Sequence, residues 1–252
     1  MGKVIVGGLA TEYKIRGKGP NVVLIHGWGD NLKTFKSLES ALANKYTVIS
    51  LDLPGFGQTD TPKEAYTLKK YALFISEFLD KIDIKHIFAF VGHSNGGAIA
   101  LRGLSSGVLV SDKLILLASS GVRSIYKTKK KIIRMAVKTA KIPTLLLPSS
   151  TRNKIRKRVY KKIGSDMFVA ENMQETFKNV ITEDIVHESA MIQQPTLLIY
   201  GSADKSTPPE FGQKFHKLIE DSELRIIEGA DHFLHHTHQK EVDNLVLEYL
   251  DK

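Results

Sequence analysis

The sequence predicts an α/β protein: a mostly parallel sheet with helices on both faces, interrupted by a helical insertion. Three observations carry this. Short apolar runs alternate with amphipathic stretches along most of the chain, the pattern of strands joined by helical crossovers. Several of those runs are apolar at every position, as strands covered on both faces must be. Between residues 123 and 194 the alternation stops, and the segment reads as helical and basic with no strand-like run.

Residues 3–15 and 22–26 read as strands on either side of the turn 16–21, which holds Gly17, Gly19 and Pro20. Residues 32–45 have helical spacing in Phe35, Leu38 and Leu42. Residues 46–51 form the next expected strand, closing in the turn-rich DLPGFG at 52–57. An amphipathic helix is expected over 68–79 and a strand over 87–91. That strand runs into Gly92-His93-Ser94-Asn95-Gly96 and then a small-residue helix. Further strands are expected at 113–118, 195–200 and 223–227, and helices at 209–219 and 242–250. With 252 residues one large domain suffices, with 1–121 and 195–252 as its core and 122–194 as the insertion.

Composition narrows the function classes. The chain is 42% apolar and 25% charged, far from the disordered range. It has no cysteine, which excludes a thiol nucleophile and a disulfide framework. The first residues contain no continuous apolar core with a cleavage site, and Val6 stands where a myristoylation signal needs Ser or Thr, so a cytoplasmic protein is expected. Charge is segregated: 15 of the 36 Lys and Arg, and no Asp or Glu, fall within 123–162, leaving 21 basic against 27 acidic residues elsewhere. Lys127, Lys131, Arg134, Lys138 and Lys141 recur at helical steps opposite Ile133, Ala136, Val137 and Ala140. Such a face is either a solvated surface or a site of attraction for an anionic ligand or membrane surface. Nucleic acid is not expected, because aromatic interleaving and a recognisable binding module are missing.

The chemistry centres on G-H-S-N-G. In a strand–turn–helix context, G-x-S-x-G holds a serine hydroxyl above the sheet edge beside the free N–H groups of a helix amino end. A serine hydroxyl needs a base, and the base an orienting carboxylate. Loops after expected strands offer Ser94, Asp204 and His232, in the chain order Ser…Asp…His. Together HGWGD, DLPGFGQTD, GHSNGG, GSADKSTP and GADHF resemble the α/β-hydrolase superfamily over nearly the whole chain outside the insertion. The resemblance implies Ser94 as nucleophile, His232 as base and then acid, and Asp204 as orienting acid. It also implies an oxyanion hole from the backbone N–H groups of Trp28 and Asn95, and a helical cap at 122–194. Some members carry the acid one strand earlier; here that loop is Ser119-Ser120-Gly121, which favours Asp204.

Other polar residues are expected to be structural: Asp52 ordering its loop, His26 bracing the HG turn, His93 packing beside the elbow, Asp231 holding its own turn. His232, His235, His236 and His238 raise the question of a metal, but without a converging carboxylate none is expected, and no cofactor. Where members often have Pro and Glu after the histidine, this chain has Leu234 and Thr237. The function implied is a serine hydrolase acting on a small ester, thioester or related acyl substrate. Hydrolysis of a carbon–carbon bond in a vinylogous diketone acid by the same residues stays open, as does a low-turnover ligand-binding role.

Overall fold

In the computed structural model, residues 1–123 and 173–252 are described. Their strands form one eight-stranded sheet. The strands are β1 (Gly2–Val6), β2 (Leu9–Arg16), β3 (Asn21–Ile25), β4 (Thr47–Leu51), β5 (Ala89–His93), β6 (Lys113–Leu117), β7 (Thr196–Gly201) and β8 (Ser222–Ile227). Their spatial order is β1-β2-β4-β3-β5-β6-β7-β8. The pairs β1–β2 and β2–β4 are antiparallel, and every pair from β4–β3 to β7–β8 is parallel.

The single run expected over 3–15 is a hairpin instead. Gly7 and Gly8 both take positive φ, 53° and 78°, and fold β2 back on β1. The apolar–polar alternation continues through both arms, so periodicity alone conceals the turn between them. The helix expected over 32–45 is shorter, too. A 3₁₀ turn, Leu32–Phe35, precedes α1 (Lys36–Leu42), with Asn31 capping it through the Lys33 N–H.

The inner parallel strands β3–β7 are buried on both faces, and alternate residues feed two cores. Val23 and Ile25 of β3 and Leu114 and Leu116 of β6 join one core with α2 (Leu68–Lys81), α3 (Asn95–Ser105) and α5 (Pro209–Leu218). Val22, Leu24, Ile115 and Leu117 join the other, with α1 and the C-terminal helices α6 (Leu234–Thr237) and α7 (Gln239–Leu250). Helix α4 (Gln174–Thr182) lies between β6 and β7 in sequence, ahead of α5.

Of the insertion expected at 122–194, residues 124–172 lie outside the described residues, and with them all of the basic run 123–162 except Arg123. In the described remainder, α4 is tied to the segment leading into α2. Tyr66 N–H donates to Thr176 Oγ1 at 3.0 Å, and Leu68 N–H donates to Glu183 Oε1 at 2.9 Å. Arg102 on α3 pairs with Glu183 at 3.6 Å and Glu188 at 3.2 Å. Among the described residues no helix is long and apolar enough to cross a membrane.

Candidate active site

The turn from β5 into α3 is tight, passing from strand to helix through the single residue Ser94. Ser94 sits there with φ 51° and ψ −114°, a strained backbone for a residue with a Cβ. The strain persists because the surroundings fix it from both sides. Ser94 N–H donates to Leu117 O at 3.0 Å, and Ser120 N–H donates to Ser94 O at 3.0 Å. A Cβ on Gly92 would lie 2.6 Å from Gly97 Cα, so strand and helix can cross only with glycine there.

β7 and β8 supply the other two side chains. The loop after β7 carries Asp204 and the loop after β8 carries His232, so the parallel order β5-β6-β7-β8 brings all three to one sheet edge. His232 Nε2 is 3.0 Å from Ser94 Oγ, and His232 Nδ1 is 2.8 Å from Asp204 Oδ2. The Asp204 side chain is fully buried, with 0% exposure, against 18% for His232. Its Oδ1 accepts from the N–H groups of Ser206 (2.6 Å) and Thr207 (3.0 Å). Its Oδ2 accepts from Thr207 Oγ1 at 2.8 Å. Burial by itself would raise the Asp204 pKa, but the hydrogen bonds and charge of His232 and the donors of Thr207 outweigh it and hold the carboxyl below its ordinary value. An ionised Asp204 accepts the Nδ1 proton of His232, which leaves the Nε2 lone pair directed at Ser94.

Thr207 is a functional neighbour that the sequence pattern does not mark. Its hydroxyl also lies 2.8 Å from Ala118 O and 3.1 Å from His232 Nδ1, so it links the acid, the histidine and the end of β6. The available signal was local: a Ser/Thr placed two or three residues after an Asp in a turn bonds back to it.

The nearby histidines do more than pack. His93 is buried at 1% exposure, and its Nε2–H donates to the backbone carbonyl of His232 at 2.9 Å, holding that loop from below. Burial drives its pKa well below the ordinary value, helped by His235 and His232, so the ring is neutral. His26 donates from Nδ1 to Gly27 O (2.8 Å) and accepts at Nε2 from Leu53 N–H (2.9 Å), joining the HG turn to the DLPGFG loop. Burial lowers its pKa as well. Asp52 reaches beyond its own loop: Oδ2 accepts from Gln58 N–H and Oδ1 from Leu32 N–H, both at 2.7 Å. Asp231 instead accepts from Phe233 N–H at 3.0 Å and Thr237 Oγ1 at 3.3 Å, within its own exposed turn.

The HG turn runs directly over the elbow. A Cβ on Gly27 would lie 2.9 Å from His93 Nδ1 and 3.3 Å from Ser94 Cβ. Trp28 therefore begins next to Ser94, and its ring packs at 4.8 Å from Phe56 and 5.1 Å from Phe177 of α4. Asn95 is the first residue of α3, where N–H groups have no partner within the helix.

Comparison with known proteins agrees with this architecture. Residues 22–245 match the alpha/beta hydrolase family. The chain is 29% identical to a 2-hydroxy-6-oxo-6-(2'-aminophenyl)hexa-2,4-dienoic acid hydrolase of Metapseudomonas resinovorans, over 99% of this chain and 90% of the relative. A solved serine hydrolase involved in carbazole degradation superposes with a TM-score of 0.76 at 25% identity, covering 99% of this chain and 97% of that one. An esterase from Exiguobacterium antarcticum shares the fold, with a TM-score of 0.77 at 22% identity and 99% coverage of both chains. With a family match that takes in all but the first 21 and last seven residues, the chain belongs to the alpha/beta hydrolase family.

Proposed function

We propose that the protein is a serine hydrolase that cleaves a small ester, thioester or related acyl compound through an acyl-enzyme. The observation that carries this reading is the continuous hydrogen-bonded chain Ser94 Oγ–His232–Asp204, at 3.0 and 2.8 Å. His232 Nε2 takes the proton of Ser94 as Oγ bonds to the acyl carbon, and then delivers it to the departing alcohol or thiol. A water, deprotonated by the same nitrogen, releases the acid. Asp204 holds the productive tautomer and stabilises the imidazolium as it forms. The N–H groups of Trp28 and Asn95 receive the oxyanion, a contribution for which loss of one donor costs about 10²–10³ in turnover.

Residues 122–194 would act as a cap over this site, with Phe177 and Trp28 forming one apolar wall of the acyl pocket. The basic run 123–162 would favour anionic substrates or an anionic surface, so at low ionic strength carboxylate-bearing esters should outpace neutral ones of equal length.

A second reading is favoured by the 29% identical dienoic acid hydrolase: cleavage of a carbon–carbon bond in a vinylogous diketone acid by the same three side chains. One experiment separates the two. Wild type and Ser94→Ala are assayed against p-nitrophenyl esters of increasing chain length and against a 2-hydroxy-6-oxo-dienoate. Serine-dependent turnover of the esters supports the first reading, and turnover confined to the dienoate supports the second.

A further inference from the structure

Behind the histidine loop lies a second cluster, built from opposite ends of the chain. Asp30 ends the HG turn after β3, while His235 and His236 lie on α6. One potential ligand atom from each of the three lies within 4.8 Å of the others. Thr34 sits among them, its Oγ1 2.9 Å from His235 Nε2 and 2.9 Å from His236 Nε2. A hydroxyl carries one proton, so it can donate to only one of these nitrogens and must accept an N–H from the other. The two rings are 4.3 Å apart between centroids, so two imidazoles crowd around a single small polar group.

His235 is only 3% exposed. Its Nδ1 is buried with no hydrogen-bond partner, so the directed interactions of the ring all run through Nε2, into the cluster. His236 is exposed and Asp30 half-buried, which opens the cluster to solvent on one side.

We infer that Asp30, His235 and His236, with the Thr34 hydroxyl beside them, form a binding site for a divalent transition ion of the zinc class. Two imidazoles and one carboxylate suit zinc and its neighbours, whereas magnesium and calcium prefer all-oxygen sets. Zinc bonds of about 2.0–2.2 Å place tetrahedral ligand atoms roughly 3.3–3.6 Å apart. Separations of up to 4.8 Å therefore have to close by up to about 1.2–1.5 Å, which rotation of the accessible His236 and Asp30 side chains can supply. His232 is not a ligand, because Asp204 and Ser94 engage both of its nitrogens. The ion would touch no reacting atom. It would clamp the HG turn, which carries Trp28, to the segment that carries His232, and so act by positioning. The inference does not depend on which acyl compound is hydrolysed.

The test uses the untagged full chain after chelator treatment, titrated calorimetrically with Zn²⁺. The expected result is saturable binding of one equivalent, weakened at least tenfold in His236→Ala and in Asp30→Asn, and unchanged in His238→Ala. Both altered side chains reach solvent, so neither variant removes core packing. At free zinc a hundred times the Kd, the melting temperature of wild type should rise by roughly 5–10 °C, and that of His236→Ala should not. Absence of saturable binding, or binding equally tight in His236→Ala and Asp30→Asn, would overturn the assignment.

Discussion

Burial of a neutral imidazole makes folding sensitive to acid, and His235 shows how strongly. Its pKa falls from 6.5 in the unfolded chain to about 3 in the folded one. Between these values the unfolded state binds a proton that the folded state does not, so stability falls as pH drops below 6.5 and is retained above it. From pH 7 to pH 5 the loss from this one residue is about 2 kcal/mol, since each pH unit well inside the window is worth about 1.4 kcal/mol. That corresponds to roughly 4–8 °C in melting temperature for a chain of this size. His93, buried and lowered in the same direction, adds to the acid sensitivity of wild type. Replacing His235 with Gln keeps a polar group toward Thr34 but removes the titration. Thermal unfolding is followed at pH 7, 6 and 5 with chelator present. Wild type should lose about 2 kcal/mol more than His235→Gln over this interval. An equal pH slope in the two proteins would refute the reasoning, because it would mean that His235 titrates alike in both states.

Further expectations concern the acid, its support and the elbow. Asp204→Asn should lower kcat by about 10⁴ by favouring the wrong tautomer of His232, whereas Asp231→Asn should change it little; steady-state kinetics of both variants decides between the two carboxylates. Thr207→Val keeps the shape but removes a donor to Asp204 Oδ2, so the acid limb of the kcat/KM pH profile should move upward, and an unmoved limb would exclude that role. Gly92→Ala places a methyl 2.6 Å from Gly97 Cα and should cost about 1–3 kcal/mol in denaturant unfolding, more than Gly8→Ala, which meets no atom within 4 Å and carries only the cost of its positive φ.

Much of this architecture is legible in the sequence because it follows from local pattern. The two-face burial of β3 and β6 shows as unbroken apolar runs, and Ser94 is marked by a strand that ends in glycines and restarts as a helix. Ser94, Asp204 and His232 each follow a strand, and parallel order puts such loops at one edge. Less legible are contacts that depend on which loops lie side by side. The bond from His93 to the His232 carbonyl, the reach of Asp52 to Leu32 and the meeting of Asp30 with His235 and His236 span 20 or more residues. The metal question shows this best: Asp231, the carboxylate next to the histidines in sequence, is engaged in its own turn, and the carboxylate that meets His235 and His236 is Asp30, some 200 residues away. The Gly7-Gly8 hairpin was hidden for a different reason, since alternation is the same in both of its arms. The cap expected at 122–194 rests mostly on residues outside those described.

The central claim is that Ser94 is the nucleophile, activated by His232 and Asp204. Its most direct measurement is intact-protein mass spectrometry after reaction with a fluorophosphonate, on wild type and Ser94→Ala. One adduct is expected on wild type, located by peptide mapping to Ser94, and none on the variant. Labelling of Ser94→Ala at the wild-type rate would contradict it.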